Sequence, residues 1–139
     1  MEKRQGAKDI AGGVVPAGTL LEVGNREIWQ LELVSRDQIP CGRIVRQLVE
    51  PEMYTIRYLI VYDIKSGRHV PVPANAVTEI TSEAVFCSID AVKFLSLPNL
   101  TQPLDRAQEE EIYGIIEQTP YWIEEAAYIH SGREPDISD

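Results

Sequence analysis

The side chains able to perform acid–base chemistry are few and scattered along the 139 residues of the chain. Its two histidines are His69, in a predicted strand, and His130, near the carboxyl terminus. Neither belongs to a two-histidine metal motif, and the sequence has no glycine-rich phosphate loop and no nucleophile elbow. We therefore interpret both histidines as structural or surface residues. The sequence predicts no catalytic residue, and the protein is not expected to be an enzyme.

The carboxylates and thiols predict no metal site and no cofactor. Glu109, Glu110 and Glu111 are consecutive, and successive positions of a helix point about 100° apart, so the three cannot converge on one ion. They are expected to form the solvated first turn of a helix. Asp37 and Asp63 have the sequence context of turn residues. Cys41 and Cys87 lack metal-binding spacing and are expected to be reduced thiols, although a pairing between them stays open.

Aromatic side chains form the candidate interface. Tyrosine and tryptophan are enriched at binding surfaces, and this chain holds more of them than one small core can hide. The candidate interface residues are Tyr54, Tyr113, Tyr121 and Trp122. The alternative is that Tyr113 and Trp122 only pack the carboxyl-terminal segment onto the rest of the fold.

The charge distribution limits the classes of partner. The net charge is 13 − 22 = −9, and residues 101–139 hold 2 basic and 10 acidic residues, a net of −8. Such an acidic segment repels phosphates, so direct nucleic-acid binding is not expected. Apolar runs such as residues 58–62 are too short to span a bilayer, so no membrane insertion is expected. We expect a cytoplasmic protein.

Alternating apolar and polar residues predict six short strands, with turn residues between them. In the first, Trp29, Leu31 and Leu33 are expected on one face. The strongest lies at 55–64, where both faces are apolar and an inner position is expected. Pro71 and Pro73 favour a position at an edge or at a barrel seam for the fourth. The strands are predicted at 28–34, 43–49, 55–64, 69–73, 77–80 and 84–89.

Capping residues predict the helices that follow. Asp90 can cap a short helix over 91–95, and Asp105 with Gln108 has the spacing of a capping box. Pro120 is expected to end the second helix. We therefore expect a mostly-β fold, a small antiparallel β-barrel or sandwich of six strands with a short carboxyl-terminal helical segment. A barrel would also remove the exposed edges of the sheet. The predicted parts are a flexible leader at 1–13, the barrel at 14–97, a helical extension packing on it at 98–130 and a tail at 131–139.

Three stretches together resemble the PRC-barrel family. They are Gly42-Arg43-Ile44-Val45, then Tyr58-Leu59-Ile60-Val61, then the run from Gly67 to Val77 that contains Pro73-Ala74-Asn75-Ala76. Ile44 stands where the family usually has valine. The family is known from the cytoplasmic part of the photosynthetic reaction-centre H subunit and from the carboxyl-terminal half of a ribosome-maturation factor. The resemblance implies a six-stranded barrel that serves as a docking surface, with protein partners.

The sequence leaves three functions open. The first is a non-catalytic protein-interaction or assembly module that forms a homodimer. The second is a regulatory barrel that binds a small ligand, which an interior filled by Ile44, Ile56, Ile60 and Val72 would exclude. The third is a ribosome-associated assembly factor that contacts a ribosomal protein.

Overall fold

The computed structural model describes residues 28–101 and 103–130. These residues form six strands: β1 (Glu32–Val34), β2 (Pro40–Glu50), β3 (Thr55–Asp63), β4 (Arg68–Pro73), β5 (Val77–Ile80) and β6 (Ala84–Cys87). A 3₁₀ turn at Ala74–Ala76 joins β4 to β5, and three helices follow: α1 (Ala91–Ser96), α2 (Arg106–Ile116) and α3 (Tyr121–His130). The mostly-β class is confirmed. The predicted leader, the predicted tail and the first part of the predicted barrel, 14–27, lie outside the described residues.

The chain divides into two compact units between Pro103 and Leu104. The described part of the first, called the sheet unit, contains the six strands and α1. The described part of the second, called the helical unit, is residues 104–130 and contains α2 and α3.

The six strands form one sheet in the order β4-β3-β2-β1-β6-β5. The β1–β6 pair is parallel and the other four pairs are antiparallel. The expectation of an entirely antiparallel arrangement is therefore wrong at this pair. A tight turn forces antiparallel pairing only on strands that it joins, and a long connection such as the one from β1 to β6 permits parallel pairing. Within the described residues no ladder joins β4 to β5, so closure into a barrel is not confirmed.

The sheet is nevertheless curled. Its edge strands, β4 and β5, are separated in the chain only by Ala74–Ala76. Neighbouring strands lie about 4.8 Å apart, so the edges of a flat sheet of this order would be about 24 Å apart. The four steps from Pro73 to Val77 span at most about 14 Å. The two edges must therefore approach each other at the 3₁₀ turn.

The inner strand β3 buries side chains on both faces, as its sequence predicts. Ile56, Tyr58 and Ile60 are buried on one face, and Leu59 and Val61 on the other. Buried residues of the neighbouring strands complete this core: Leu33, Ile44, Val70, Val72 and Val85. Burial of such side chains is the main term that stabilises the sheet.

The first strand is shorter than its alternating sequence predicts. It covers only Glu32–Val34, and Trp29, expected on the core face beside Leu33, is 60% exposed. Gln30 has a φ of 73°, a left-handed conformation that breaks the alternation of a strand. Ile28 is buried in place of Trp29.

The edge strand β4 accommodates its two prolines without loss of pairing to β3. The N–H of His69 donates to Oδ1 of Asn99 at 2.7 Å, and its carbonyl accepts from the N–H of Leu100 at 2.7 Å. Alternate residues of a strand direct their amides to the same side. Pro71 and Pro73 therefore lack their donors on this outer side of β4, as expected for an edge strand.

At Gly42, β2 lies close to the backbone of β3. A methyl group on its Cα would collide with the carbonyl oxygen of Tyr62 and lie 2.9 Å from Cγ1 of Val61. We expect Gly42→Ala to lower the free energy of unfolding by about 1–3 kcal/mol through overpacking. Gly114→Ala, in α2, is the control because its added Cβ meets nothing within 4 Å, and it is expected to raise stability by about 0.5–1 kcal/mol. Urea unfolding measures both, and equal effects would contradict the close approach at Gly42.

The predicted helix caps are confirmed. Oδ1 of Asp90 accepts from the N–H of Lys93 at 2.9 Å at the start of α1. At the start of α2, Oδ1 of Asp105 accepts from the N–H of Gln108 at 2.9 Å, and Oε1 of Gln108 accepts from the N–H of Asp105 at 3.0 Å. These bonds satisfy donors that the first turn of a helix leaves open.

Candidate interaction surface

A cleft of about 370 Å³ opens at one end of the sheet unit. The turn between β1 and β2, the turn between β3 and β4, and helix α1 converge around it. Its walls include Pro40, Cys41, Gly42, Asp63, Ala91 and Phe94. Three further lining residues have exposed side chains: Ile64 is 78% exposed, Leu95 62% and Ile39 46%. We call these three residues the aliphatic rim.

The turn between β1 and β2 holds Ile39 in place and also fixes α1. The Ser35 hydroxyl donates to Oδ1 of Asp37 and accepts from the N–H of Ile39 at 3.0 Å. Oδ1 of Asp37 also accepts from the N–H of Ala91, the first residue of α1, at 3.1 Å. Donation from the Ser35 hydroxyl lowers the pKa of Asp37 from its ordinary value, desolvation opposes this shift, and donation from the Ala91 amide adds a smaller lowering effect. Asp37 is thus a turn residue, as predicted, and it links two of the segments that build the cleft.

The turn between β3 and β4 holds Ile64 outward. Oδ1 of Asp63 accepts from the N–H of Lys65 at 3.1 Å, and Oδ2 accepts from the Ser66 hydroxyl at 2.8 Å. The N–H of Gly67, whose φ is 73°, donates to the carbonyl of Asp63 at 2.7 Å. The carboxylate of Asp63 is buried but satisfied within its own turn, so it too has the predicted structural role.

Helix α1 supplies both a wall and part of the rim. Phe94 is buried, whereas Leu95 and Val92, which are three residues apart on one helix face, are 62% and 71% exposed. Nη1 of Arg68 donates to the carbonyl of Leu97 at 2.5 Å, and Nη2 donates to that of Leu95 at 3.2 Å. The guanidinium therefore satisfies carbonyls at the end of α1 and fixes the helix to β4.

Cys41 lines the cleft but is a poor nucleophile. Burial, with a smaller contribution from Cys87, raises its pKa from 9.0 to about 12. Burial also raises the pKa of Cys87, and both cysteines are free thiols. A raised pKa keeps the thiol protonated, and the thiolate is the reactive form.

We predict that Cys41 reacts slowly with iodoacetamide in the folded protein. A rise in the pKa of Cys41 from 9.0 to about 12 reduces the thiolate fraction near neutral pH about a thousandfold. The rate at about pH 8, followed by peptide mass spectrometry, is therefore expected to rise by about that factor when the chain is unfolded in urea. A native rate within about tenfold of the unfolded rate would contradict this assignment.

The predicted interface residues divide between the two units. Tyr54 is 68% exposed in the turn between β2 and β3, beside Met53 at 58%. This turn precedes β3 and Ile64 follows it, so nine strand residues, or about 30 Å, separate Tyr54 from the aliphatic rim. Tyr113, Tyr121 and Trp122 belong to the helical unit, and their role as an interface stays a prediction.

The three aromatic residues of the helical unit contact one another and Arg106. The ring of Trp122 lies 5.6 Å from that of Tyr113 and 5.0 Å from that of Tyr121, both edge to face. The guanidinium carbon of Arg106 lies 3.7 Å from the centroid of the Trp122 ring, a cation–π contact. This cluster joins the start of α3 to α2.

The prediction that the acidic run of α2 is solvated is confirmed for only two of its three residues. Glu110 and Glu111 are exposed. Glu109 instead accepts a hydrogen bond from the Tyr121 hydroxyl at 2.9 Å and pairs with Nε of Arg106 at 3.3 Å. The sequence could not indicate this contact because Tyr121 comes from the next helix.

His69 is exposed on β4, and its ring centroid lies 4.9 Å from that of Tyr62. In residues 28–101 and 103–130, no group of three or more His, Cys, Asp or Glu side chains could hold a metal ion. Of the helices in the same ranges, none combines the length and the apolar character needed to cross a membrane.

The aliphatic rim was not predicted from the sequence. The sequence pattern places Ile64 at the end of a predicted strand and Ile39 in a predicted turn. The spacing of Val92 and Leu95 is the usable signal, because residues three apart share a helix face.

No protein-family model matches the chain, and no curated protein sequence matches it.

Proposed function

We propose that this protein is a non-catalytic interaction module of the PRC-barrel type, and that it forms a homodimer through the aliphatic rim of its sheet unit. The observation that carries this proposal is the convergence of Ile39, Ile64 and Leu95 around one cleft while each remains 46–78% exposed. Clustered apolar side chains that stay in contact with water are characteristic of association surfaces. Burying them against another protein releases that water and favours binding.

A second copy of the chain is the occupant that the charges favour. The described sheet unit holds seven basic and eight acidic residues, a net of 7 − 8 = −1. Residues 104–130 hold one basic and seven acidic residues, a net of 1 − 7 = −6. Two sheet units can therefore approach without strong repulsion, whereas two helical units repel each other. A twofold arrangement places the rim of each copy against the cleft of the other, the usual form of a soluble dimer.

The assignment to the PRC-barrel type is supported by the residues that carry the resemblance. Gly42 permits the close approach of β2 to β3. Ala74–Ala76 forms the short turn that draws the two sheet edges together. The curled, six-stranded sheet is the arrangement that we propose as an open form of the family's barrel.

The small-ligand alternative has less support. Ile44, Ile56, Ile60 and Val72 are all at most 6% exposed, so protein side chains already fill these positions. The cleft lies at the surface and has three exposed aliphatic side chains around it, whereas ligand sites bury most of the bound molecule.

Sedimentation velocity of the full chain across a wide concentration range tests this function. We expect a reversible shift from monomer to a species of twice the monomer mass, with little dependence on salt, because the contact is apolar and nearly neutral. A chain that stays monomeric at the highest concentration would refute the homodimer.

A further inference from the structure

Helix α3 presents a second apolar surface, in the other unit of the chain. Ile123 is 50% exposed, and Ala126 and Ala127 are also exposed. Their spacing of three and four residues places them on one face of the helix.

The contacts described above anchor the start of the helix. The hydroxyl of Tyr121 donates to Glu109, and the ring of Trp122 packs on Arg106. A ten-residue helix is marginal on its own in water and gains most of its stability from packing of an apolar face. A partner that covers the face at Ile123, Ala126 and Ala127 would therefore stabilise the helix further.

The charge of the helical unit specifies the partner. The exposed carboxylates of this unit include Glu110, Glu111, Glu117 and Glu124. With a net charge of −6 over residues 104–130, the helical unit of a second copy, a nucleic acid or an anionic membrane is repelled. We infer that the exposed face of α3 docks a basic amphipathic helix of another protein. The small side chains of Ala126 and Ala127 allow such a helix to approach within the usual 8–10 Å of interaxial distance.

The α3 site differs from the proposed homodimer contact in its unit, in its partner and in its balance of forces. The homodimer contact is apolar and nearly neutral. The α3 contact combines a short apolar stripe with long-range attraction, so its affinity is expected to fall as salt rises.

The probe for this site is a fluorescein-labelled amphipathic peptide of leucine and lysine at helical spacing. Its matched control is the same peptide with glutamate in place of every lysine. In fluorescence anisotropy with the full chain, we expect the leucine–lysine peptide to bind and the leucine–glutamate peptide not to bind. Absence of binding by the leucine–lysine peptide, or equal binding of both peptides, would overturn the inference.

A pair of variants separates docking on α3 from general attraction to an acidic protein. Ala127→Arg places a large cation on the exposed face of α3, and Ala107→Arg adds the same charge at an exposed position of α2. We expect Ala127→Arg to weaken peptide binding by about tenfold, the equivalent of ~1.4 kcal/mol, and Ala107→Arg to have a much smaller effect. Equal losses in the two variants would refute docking at this face. Circular dichroism establishes that both variants are folded, and Leu95→Glu, in the sheet unit, is expected to bind the peptide normally.

Discussion

Glutamate at Ile64 or at Leu95 is expected to weaken self-association by at least about 30-fold, the equivalent of ~2 kcal/mol. Both side chains are largely exposed in the single chain, so the substitutions should leave the fold intact. In the dimer the same carboxylates would be buried without a partner, which costs far more than the lost apolar contact. Sedimentation velocity of each variant beside the unmodified chain measures the change in dissociation constant.

Met53→Glu is the matched control for these two variants. Met53 is 58% exposed, so the substitution adds the same charge to the same unit at the opposite end of β3, next to Tyr54. We expect its dissociation constant to stay within about threefold of the unmodified value. If Met53→Glu dissociates the dimer while Ile64→Glu and Leu95→Glu do not, the interface lies at the Tyr54 turn, and the aliphatic rim is not the contact.

Phe94→Ala is expected to lower the free energy of unfolding by about 3–5 kcal/mol, the usual loss for a buried phenylalanine. Phe94 is 2% exposed and is the buried residue of α1. Its neighbour Leu95 is 62% exposed, so Leu95→Ala is expected to change stability by no more than about 0.5 kcal/mol. Urea unfolding at a protein concentration below that of self-association compares the two variants.

This comparison tests the orientation of α1, on which the aliphatic rim depends. If Phe94 holds the helix against the sheet, Leu95 and Val92 must face outward. Similar losses for Phe94→Ala and Leu95→Ala in the monomer would mean that α1 buries a different face, and the rim would then lack one of its three members.

The elements that depend on local sequence were predictable. The strand Thr55–Asp63 is found because β-branched and aromatic residues dominate it. The caps at Asp90 and Asp105 are found because capping acts between residues three apart. The edge position of β4 followed from the missing amide donors of its prolines.

Features set by contacts distant in the chain were not predictable. The parallel β1–β6 pair joins residues about fifty positions apart, for which alternation contains no information. The core position predicted for Trp29 is wrong because the pattern of apolar residues does not reveal the left-handed backbone of Gln30. The aliphatic rim was missed for a related reason. Ile39, Ile64 and Leu95 lie on three separate segments, and only the folded sheet unit brings them to one cleft.

Hydroxyl-radical footprinting of the unmodified chain, at concentrations below and above self-association, is the sharpest test of the homodimer interface, because it reports the exposure of individual side chains to solvent. We expect Ile64 and Leu95 to become protected in the concentrated sample, and Met53 and Tyr54 to be labelled equally in both samples. Protection of Met53 and Tyr54 with unchanged labelling of Ile64 and Leu95 would contradict it.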